Sequence, residues 1–438
     1  MLKALRRPGG RLALAVALVV AIGGAVALLG GIGFADSRGT GARAQTPPPR
    51  STRPSIDPST LRGFDPRVHR REGDALVADL AGGRHAVLTL DPALQQFVEQ
   101  LYARYQVPFG SLVAIEPRSG RVLAYVSHSS ANPDSGDLAI DPTPPAASVF
   151  KVVTASALLD AGVTAQTRVC YHGGSSGIGA GNLVDDPHDS ACATLAEAMG
   201  GSINVVFAKL AVARLDPARL ERYASAFGFG QTLPFDVPVR PSVLEVPTER
   251  LEFARTAAGF WHMHMSPLHG ALIASTIAND GRMPRAGMVD HVVDASGATV
   301  AQFQPATFRA VLPATTARTV NEMMRRTVSE GTARRTFHDP AGQPFLPGIV
   351  VAGKTGTLSG ANPYRGYTWW IGFAPADHPT IALAALVVNT PLWQIKASYA
   401  AREALRFYLV EAPAHRAAAA RASAARAAAP SAQAELTN

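Results

Sequence analysis

Ser148 and Lys151 stand three residues apart in the stretch Pro144-Pro-Ala-Ala-Ser-Val-Phe-Lys-Val-Val-Thr-Ala-Ser-Ala-Leu-Leu159. On a helix that spacing puts both side chains on one face, a turn apart. Pro144 and Pro145 end whatever precedes them, and the pattern from Ser148 onward is apolar and helical. A serine in a first helical turn lies among unpaired backbone N–H groups at the positive end of the dipole, which suits an oxygen that must carry negative charge. A lysine one turn on, shielded from water, can lose its proton and act as the base. The ordinary alternative is a capping serine beside a solvated lysine. Composition favours the chemical reading. The chain has five lysines, Lys3, Lys151, Lys209, Lys354 and Lys396, and otherwise uses arginine, which does not deprotonate at working pH.

Two further motifs follow in the chain. Ser202-Ile203-Asn204 comes after two glycines and opens a helix, and Lys354-Thr355-Gly356-Thr357 sits in an expected strand after Val350-Val-Ala-Gly353. Gly353 and Gly356 leave room for a ligand backbone against that strand. Each motif alone reads equally well as a helix cap or an edge-strand lysine. In the order Ser-x-x-Lys, Ser-x-Asn, Lys-Thr-Gly they supply a nucleophile, a base, an acid for a leaving group and donors for an oxyanion. That is the equipment of acyl transfer, and it requires no metal and no cofactor.

The elements that must position these residues read as one α+β unit. His85–Leu90 reads as a strand, Asp91-Pro92 caps a helix with apolar face Leu94, Phe97, Val98, Leu101 and Tyr102, and Gly110–Ile115 and Val122–Ser127 read as a hairpin. A mostly helical insertion is expected between residues 130 and 280, and Met288–Val293 with Thr299–Phe303 reads as a surface hairpin. An amphipathic helix over Ala314–Gly331 precedes a meander, Ile349–Thr357, Thr368–Phe373 and Ile381–Val388, and a closing helix over Tyr399–Val410.

The 438 residues carry a net charge of +8 with pI near 9.8, but the basic residues are spread and not interleaved with aromatics, so no nucleic-acid surface is expected. Residues 1–11 form a basic segment. Leu12–Ala35 holds no charged residue over 24 positions and is expected to be a retained transmembrane anchor with the rest of the chain outside; a cleaved signal peptide is the competing reading. Residues 36–84, rich in Pro and Arg, read as a linker, 85–412 as the catalytic domain, and 413–438 as an Ala/Arg-rich disordered tail. Cys170 and Cys192 bracket a Gly/Ser/Asp-rich loop and are expected to pair in an oxidising compartment, with two unpaired cysteines the alternative.

From His85 to Ala412 the chain resembles the penicillin-binding proteins and serine β-lactamases. The three motifs carry the likeness, together with Leu90-Asp-Pro-Ala-Leu-Gln95, Val113–Ala124, Gly331-Thr332-Ala333 and Trp370-Ile-Gly-Phe-Ala-Pro375. The resemblance implies an antiparallel sheet flanked by helices plus a mostly helical subdomain. It implies that Ser148 is acylated by a D-Ala-D-Ala stem peptide, that Lys151 takes the serine proton, and that Ser202 relays a proton to the leaving amine. It further implies that Asn204 holds Lys151 and the substrate amide, that Lys354 supplies positive potential, and that Thr355 and Thr357 contact the substrate carboxylate. The N–H groups of Ser148 and Thr357 would form the oxyanion hole.

The expected activity is a peptidoglycan D,D-transpeptidase, inhibited by β-lactams and held on the periplasmic side of the inner membrane by a single span, open to cell-wall synthesis partners. A serine β-lactamase, a D,D-carboxypeptidase and a β-lactam or muropeptide sensor that barely turns over are the alternatives. The chain departs from the family in having only about fifty residues between anchor and His85, and in carrying Gly259-Phe-Trp-His-Met-His-Met265 where many members have a Gly-Gln-Gly-like turn. That segment reads as a packing loop, or, with His262 and His264 beside Met263 and Met265, as a soft-metal site.

Overall fold

The structure, a computed structural model, describes residues 54–175 and 177–413. The expected membrane span, the first part of the expected linker and residues 414–438 lie outside the described residues. Among the described residues, no helix is long and apolar enough to cross a membrane.

Strands β1 (Arg70–Glu72), β2 (Ala75–Leu80) and β3 (Arg84–Leu88) come first. Helix α1 (Pro92–Arg104) follows, begun by the Asp91 carboxylate, which accepts hydrogen bonds from the N–H groups of Ala93 and Leu94 at 3.0 and 3.1 Å. Strands β4 (Phe109–Ile115) and β5 (Val122–His128) lead towards the serine segment. The helical part holds α2 (Lys151–Asp160), α3 (Leu195–Gly201), α4 (Asn204–Arg214), α5 (Pro217–Ala226), α6 (Arg250–Ala257) and α7 (Pro267–Ala278). Then come β6 (Val289–Val293), β7 (Thr299–Gln302), α8 (Ala314–Ser329), the strands β8 (Ala352–Ala361), β9 (Tyr364–Ala374) and β10 (Ile381–Asn389), and α9 (Ala397–Arg406).

The main sheet runs β8-β9-β10-β4-β5, antiparallel throughout, with β8 on the edge and Lys354 opposite Ile371. It divides two cores. Trp369 and Trp370 are consecutive, so their side chains leave opposite faces of β9. Trp369 joins the core shared with α7 and the helical part, and Trp370 joins the core under α1 and α9. Both indoles are buried.

One expectation changes. Residues 54–84, read as the end of a linker, belong to the fold: β1, β2 and β3 form a second antiparallel sheet with β6 and β7, in the order β1-β2-β3-β6-β7. Leu76, Val77, Ala78, Leu80 and Ala86 are buried in it. The expected surface hairpin is the other half of this sheet, with Ala86 opposite Val292. These short strands bury apolar residues only when paired with a segment some two hundred positions away, so local pattern does not reveal them. Helix α6 adds to the expected helical insertion. It follows the Pro-rich stretch 233–249, and Glu249 begins it by accepting from the N–H groups of Leu251 and Glu252. The cysteines pair: Cys170 and Cys192 face each other across the two-stranded hairpin Arg168–Tyr171 and Ala191–Thr194.

Candidate active site

Ser148 lies in a tight helical turn, Ala147–Phe150, that runs directly into α2. Its approach is fixed from several sides. Met265 N–H donates to Pro144 O at 2.9 Å, Ala146 N–H to Met263 O at 3.1 Å, and the Trp369 indole N–H to Pro145 O at 2.8 Å. Ala147 holds φ 53°, a left-handed conformation unusual for a residue with a side chain. Gly259, at φ 88°, passes so close that a Cβ there would stand 2.6 Å from Ala147 O, so the serine turn and the α6 terminus require glycine at this contact.

Lys151 is fully buried. Its Nζ lies 2.7 Å from Ser148 Oγ, 2.8 Å from Asn204 Oδ1 and 2.5 Å from the Ala258 carbonyl oxygen, with the Phe207 ring centroid at 5.6 Å. No carboxylate pairs with it among the described residues. Burial, with the charge of Lys354 adding to it, therefore holds its pKa well below the usual lysine range. As a neutral amine it can receive the Ser148 hydroxyl proton while donating its own hydrogens to Asn204 and Ala258.

Lys354 is also fully buried, on the edge strand β8. Its Nζ donates to Ser202 Oγ at 2.9 Å and to Thr355 O at 2.8 Å, and burial brings its pKa down to about 7. Ser202 closes α3 in a left-handed conformation, φ 55°. Thr355 Oγ1 lies 2.5 Å from Thr332 Oγ1, and Gly356 lies against Ala147 and Val149 of the serine turn. Thr357 is exposed on the cleft. An edge strand leaves alternate N–H and C=O groups unpaired and facing outward, where an extended peptide can bond to them.

Ser148, Asn204 and Thr357 line both compartments of the cleft. One, about 780 Å³, adds Glu252, Trp261 and Tyr364; the other, about 510 Å³, adds Ser202, Thr332 and Thr355. All eight residues singled out from the sequence thus come to one cleft. Four contributors were not singled out: the Ala258 carbonyl, the Phe207 ring, Thr332, and the Ser175 carbonyl, which accepts from Asn204 Nδ2 at 3.1 Å. Backbone acceptors carry no side-chain signal; Thr332 was visible only as part of Gly331-Thr332-Ala333. In the segment 259–265, Met263 and Met265 are buried, His262 bonds Glu252 at 3.1 Å, and His264 bonds Thr143 O at 2.6 Å. The histidines thus serve different partners.

A serine beside a buried amine with a lowered pKa and no carboxylate partner among the described residues, with a second hydroxyl–lysine pair on the edge strand of an α+β fold, has the make-up of a serine acyl-transfer centre. The chain matches the penicillin-binding protein transpeptidase domain over residues 110–406, and it belongs to that family. The peptidoglycan D,D-transpeptidase PbpA of Mycobacterium tuberculosis is 29% identical over 382 residues, covering 75% of this chain and 72% of that one. Among solved structures, the imipenem acyl-enzyme complex of penicillin-binding protein A from M. tuberculosis superposes with a TM-score of 0.61 at 25% identity, over 74% of this chain and 79% of that one. The D,D-transpeptidase domain of a peptidoglycan glycosyltransferase from Eggerthella lenta gives 0.61 at 27%, over 74% and 82%.

Proposed function

We infer that this chain is a serine-type peptidoglycan D,D-transpeptidase in which Ser148 is the nucleophile. The observation that carries the reading is Lys151 Nζ, sealed from solvent and 2.7 Å from Ser148 Oγ. Ser148 Oγ attacks the carbonyl of the terminal D-Ala-D-Ala bond of a stem peptide as Lys151 takes its proton. The carbonyl electron pair moves to oxygen, which the N–H groups of Ser148 and Thr357 receive. On collapse the C–N bond breaks, the leaving amine takes a proton through Ser202, and D-alanine departs, leaving an ester on Ser148. An acceptor amine then attacks the ester, an amide forms, and Ser148 regains its proton.

Asn204 holds Lys151 and the substrate amide. Thr355 and Thr357 contact the terminal carboxylate, Gly356 leaves the strand open to it, and Lys354 adds positive potential. A β-lactam offers its carbonyl to the same serine and acts as inhibitor. An anchor over residues 12–35 would hold this domain on the periplasmic side of the membrane, beside peptidoglycan and the proteins that build it.

The test is intact mass spectrometry of the chain with benzylpenicillin, with Ser148→Ala as control, followed by synthetic stem peptide and an acceptor amine. A persistent adduct on Ser148 and a cross-linked product are expected. A folded protein that takes no adduct sinks the reading, and rapid release of hydrolysed drug replaces it with a β-lactamase.

A further inference from the structure

Among the described residues, Lys209 is the one buried lysine that the acyl-transfer scheme leaves unused. It lies on α4, the helix that Asn204 opens, and its side chain is 6% exposed. Its Nζ bonds the Asp189 carboxylate, the Cys170 carbonyl oxygen at 3.0 Å and Asp185 at 3.3 Å. Asp189 also holds His172 Nδ1 at 2.6 Å. Lys209 therefore fastens α4 to both ends of the loop that the Cys170–Cys192 disulfide closes.

That loop reaches the active site. Gly174, at φ 70°, rests on Val205 so closely that a Cβ would come within 2.8 Å of that side chain. One residue on, the Ser175 carbonyl accepts from Asn204 Nδ2. Further along, the Ile178 carbonyl accepts two bonds from Arg255 of α6, at 2.9 and 2.8 Å. An amide held at its nitrogen is fixed in orientation, and its oxygen then faces Lys151. Without the Ser175 carbonyl, the Asn204 amide is free to turn and present N–H groups to Lys151.

We propose that Lys209 is a positioning residue for acylation: through Asp189 and Cys170 it clamps the disulfide loop on α4, so that the Ser175 carbonyl orients the Asn204 amide towards Lys151. The proposal rests on the transpeptidase reading of the site. It places the clamp outside the reacting atoms, on residues that touch neither Ser148 nor the cleft floor.

Two lesions test it from different sides. Lys209→Met removes the clamp's charge, and Gly174→Ala lifts the loop from Val205. Acylation of the full chain by benzylpenicillin is followed across pH, with melting midpoints alongside. In both variants the limiting acylation rate is expected to fall about tenfold, the scale of one hydrogen bond, while the drug's apparent dissociation constant changes less than about twofold. The acidic limb of the rate profile should move to lower pH, because an ammonium that loses an oxygen acceptor gives up its proton more readily.

Among the described residues, the titrating group that acts on Lys151 is Lys354 on β8, with its pKa brought down to about 7, and its loss of charge shapes the alkaline side of the profile. Helix α4 and the α6 terminus present Asn204, Phe207 and the Ala258 carbonyl, none of which titrates, so the acidic limb reports Lys151. Folded variants that acylate like the parent overturn the proposal. So does a slower rate with an unmoved limb, which reports general loosening. If Lys209→Met does not fold, Gly174→Ala decides alone. A parent chain that is not acylated at all overturns the transpeptidase reading, and this inference with it.

Discussion

The floor of the cleft and the clamp behind it treat the same side chain in opposite ways. Lys151 and Lys354 are buried with hydroxyl, amide and carbonyl partners and, among the described residues, no carboxylate, and burial lowers both pKa values. Lys209, a few residues along the helix that Asn204 opens, is buried against Asp189, with the exposed Asp185 beside it, and the bonds from Lys209 and then His172 draw the Asp189 carboxyl down to about 2. A buried ammonium needs a counter-ion to remain charged. Where the chain needs a fixed link it supplies one. Where it needs an amine that gives and takes a proton, it withholds the carboxylate. The difference between a base and a strut here lies in the neighbours.

The largest effect should follow from removing the unpaired amine. Lys151→Met is expected to slow acylation by about 10²–10⁴-fold, the usual worth of a positioned general base, in stopped-flow measurements with a chromogenic cephalosporin. A folded variant that loses less than tenfold would leave Ser148 activated by something else. Next, Asn204→Asp places a carboxylate against Lys151, as Asp189 stands against Lys209. An opposite charge at that range raises an amine's pKa by about 1–3 units, so acylation should drop about 10–10³-fold below the new pKa. Acylation at the parent rate would show that the contrast between paired and unpaired lysines has no chemical consequence.

A smaller effect concerns Lys354. With a pKa of about 7, it loses its charge as pH rises through neutrality. If its positive potential aids acylation, the rate should fall about tenfold between about pH 6 and 8, the span of a single titration, and Lys354→Arg should abolish that descending limb because arginine keeps its proton. The smallest effect is on stability. The Asp189 carboxyl is held below its ordinary 3.8, so its contribution is present above that value and is lost as pH falls through about 2. Asp189→Asn should therefore unfold at lower urea than the parent at neutral pH, and the two midpoints should converge as pH falls from about 4 to 2. A constant gap across that range would place the effect outside the Lys209 pair.

Much of the site was legible because its motifs are local. Ser148 and Lys151 share a helical turn, Ser202 and Asn204 flank one helix start, and Lys354 to Thr357 is one run of strand. The main sheet and α1 and α8 were legible from periodicity and caps. The N-terminal sheet was not: Arg70–Glu72 is exposed along its length, and β3 pairs with residues far downstream. Helix α6 escaped notice as eight residues behind a Pro-rich stretch, although its terminus supplies the Ala258 carbonyl to Lys151.

The scarcity of lysine singled out the amines, and the hydroxyl, amide and glycine residues beside them named acyl transfer; both follow from residue type and short spacing. Whether each amine is a base, a source of potential or a strut follows from burial and counter-ions. Those are properties of space. Lys151 is enclosed by Asn204, Phe207 and Ala258, which come from segments 53 to 107 positions away, and only the folded chain brings them together.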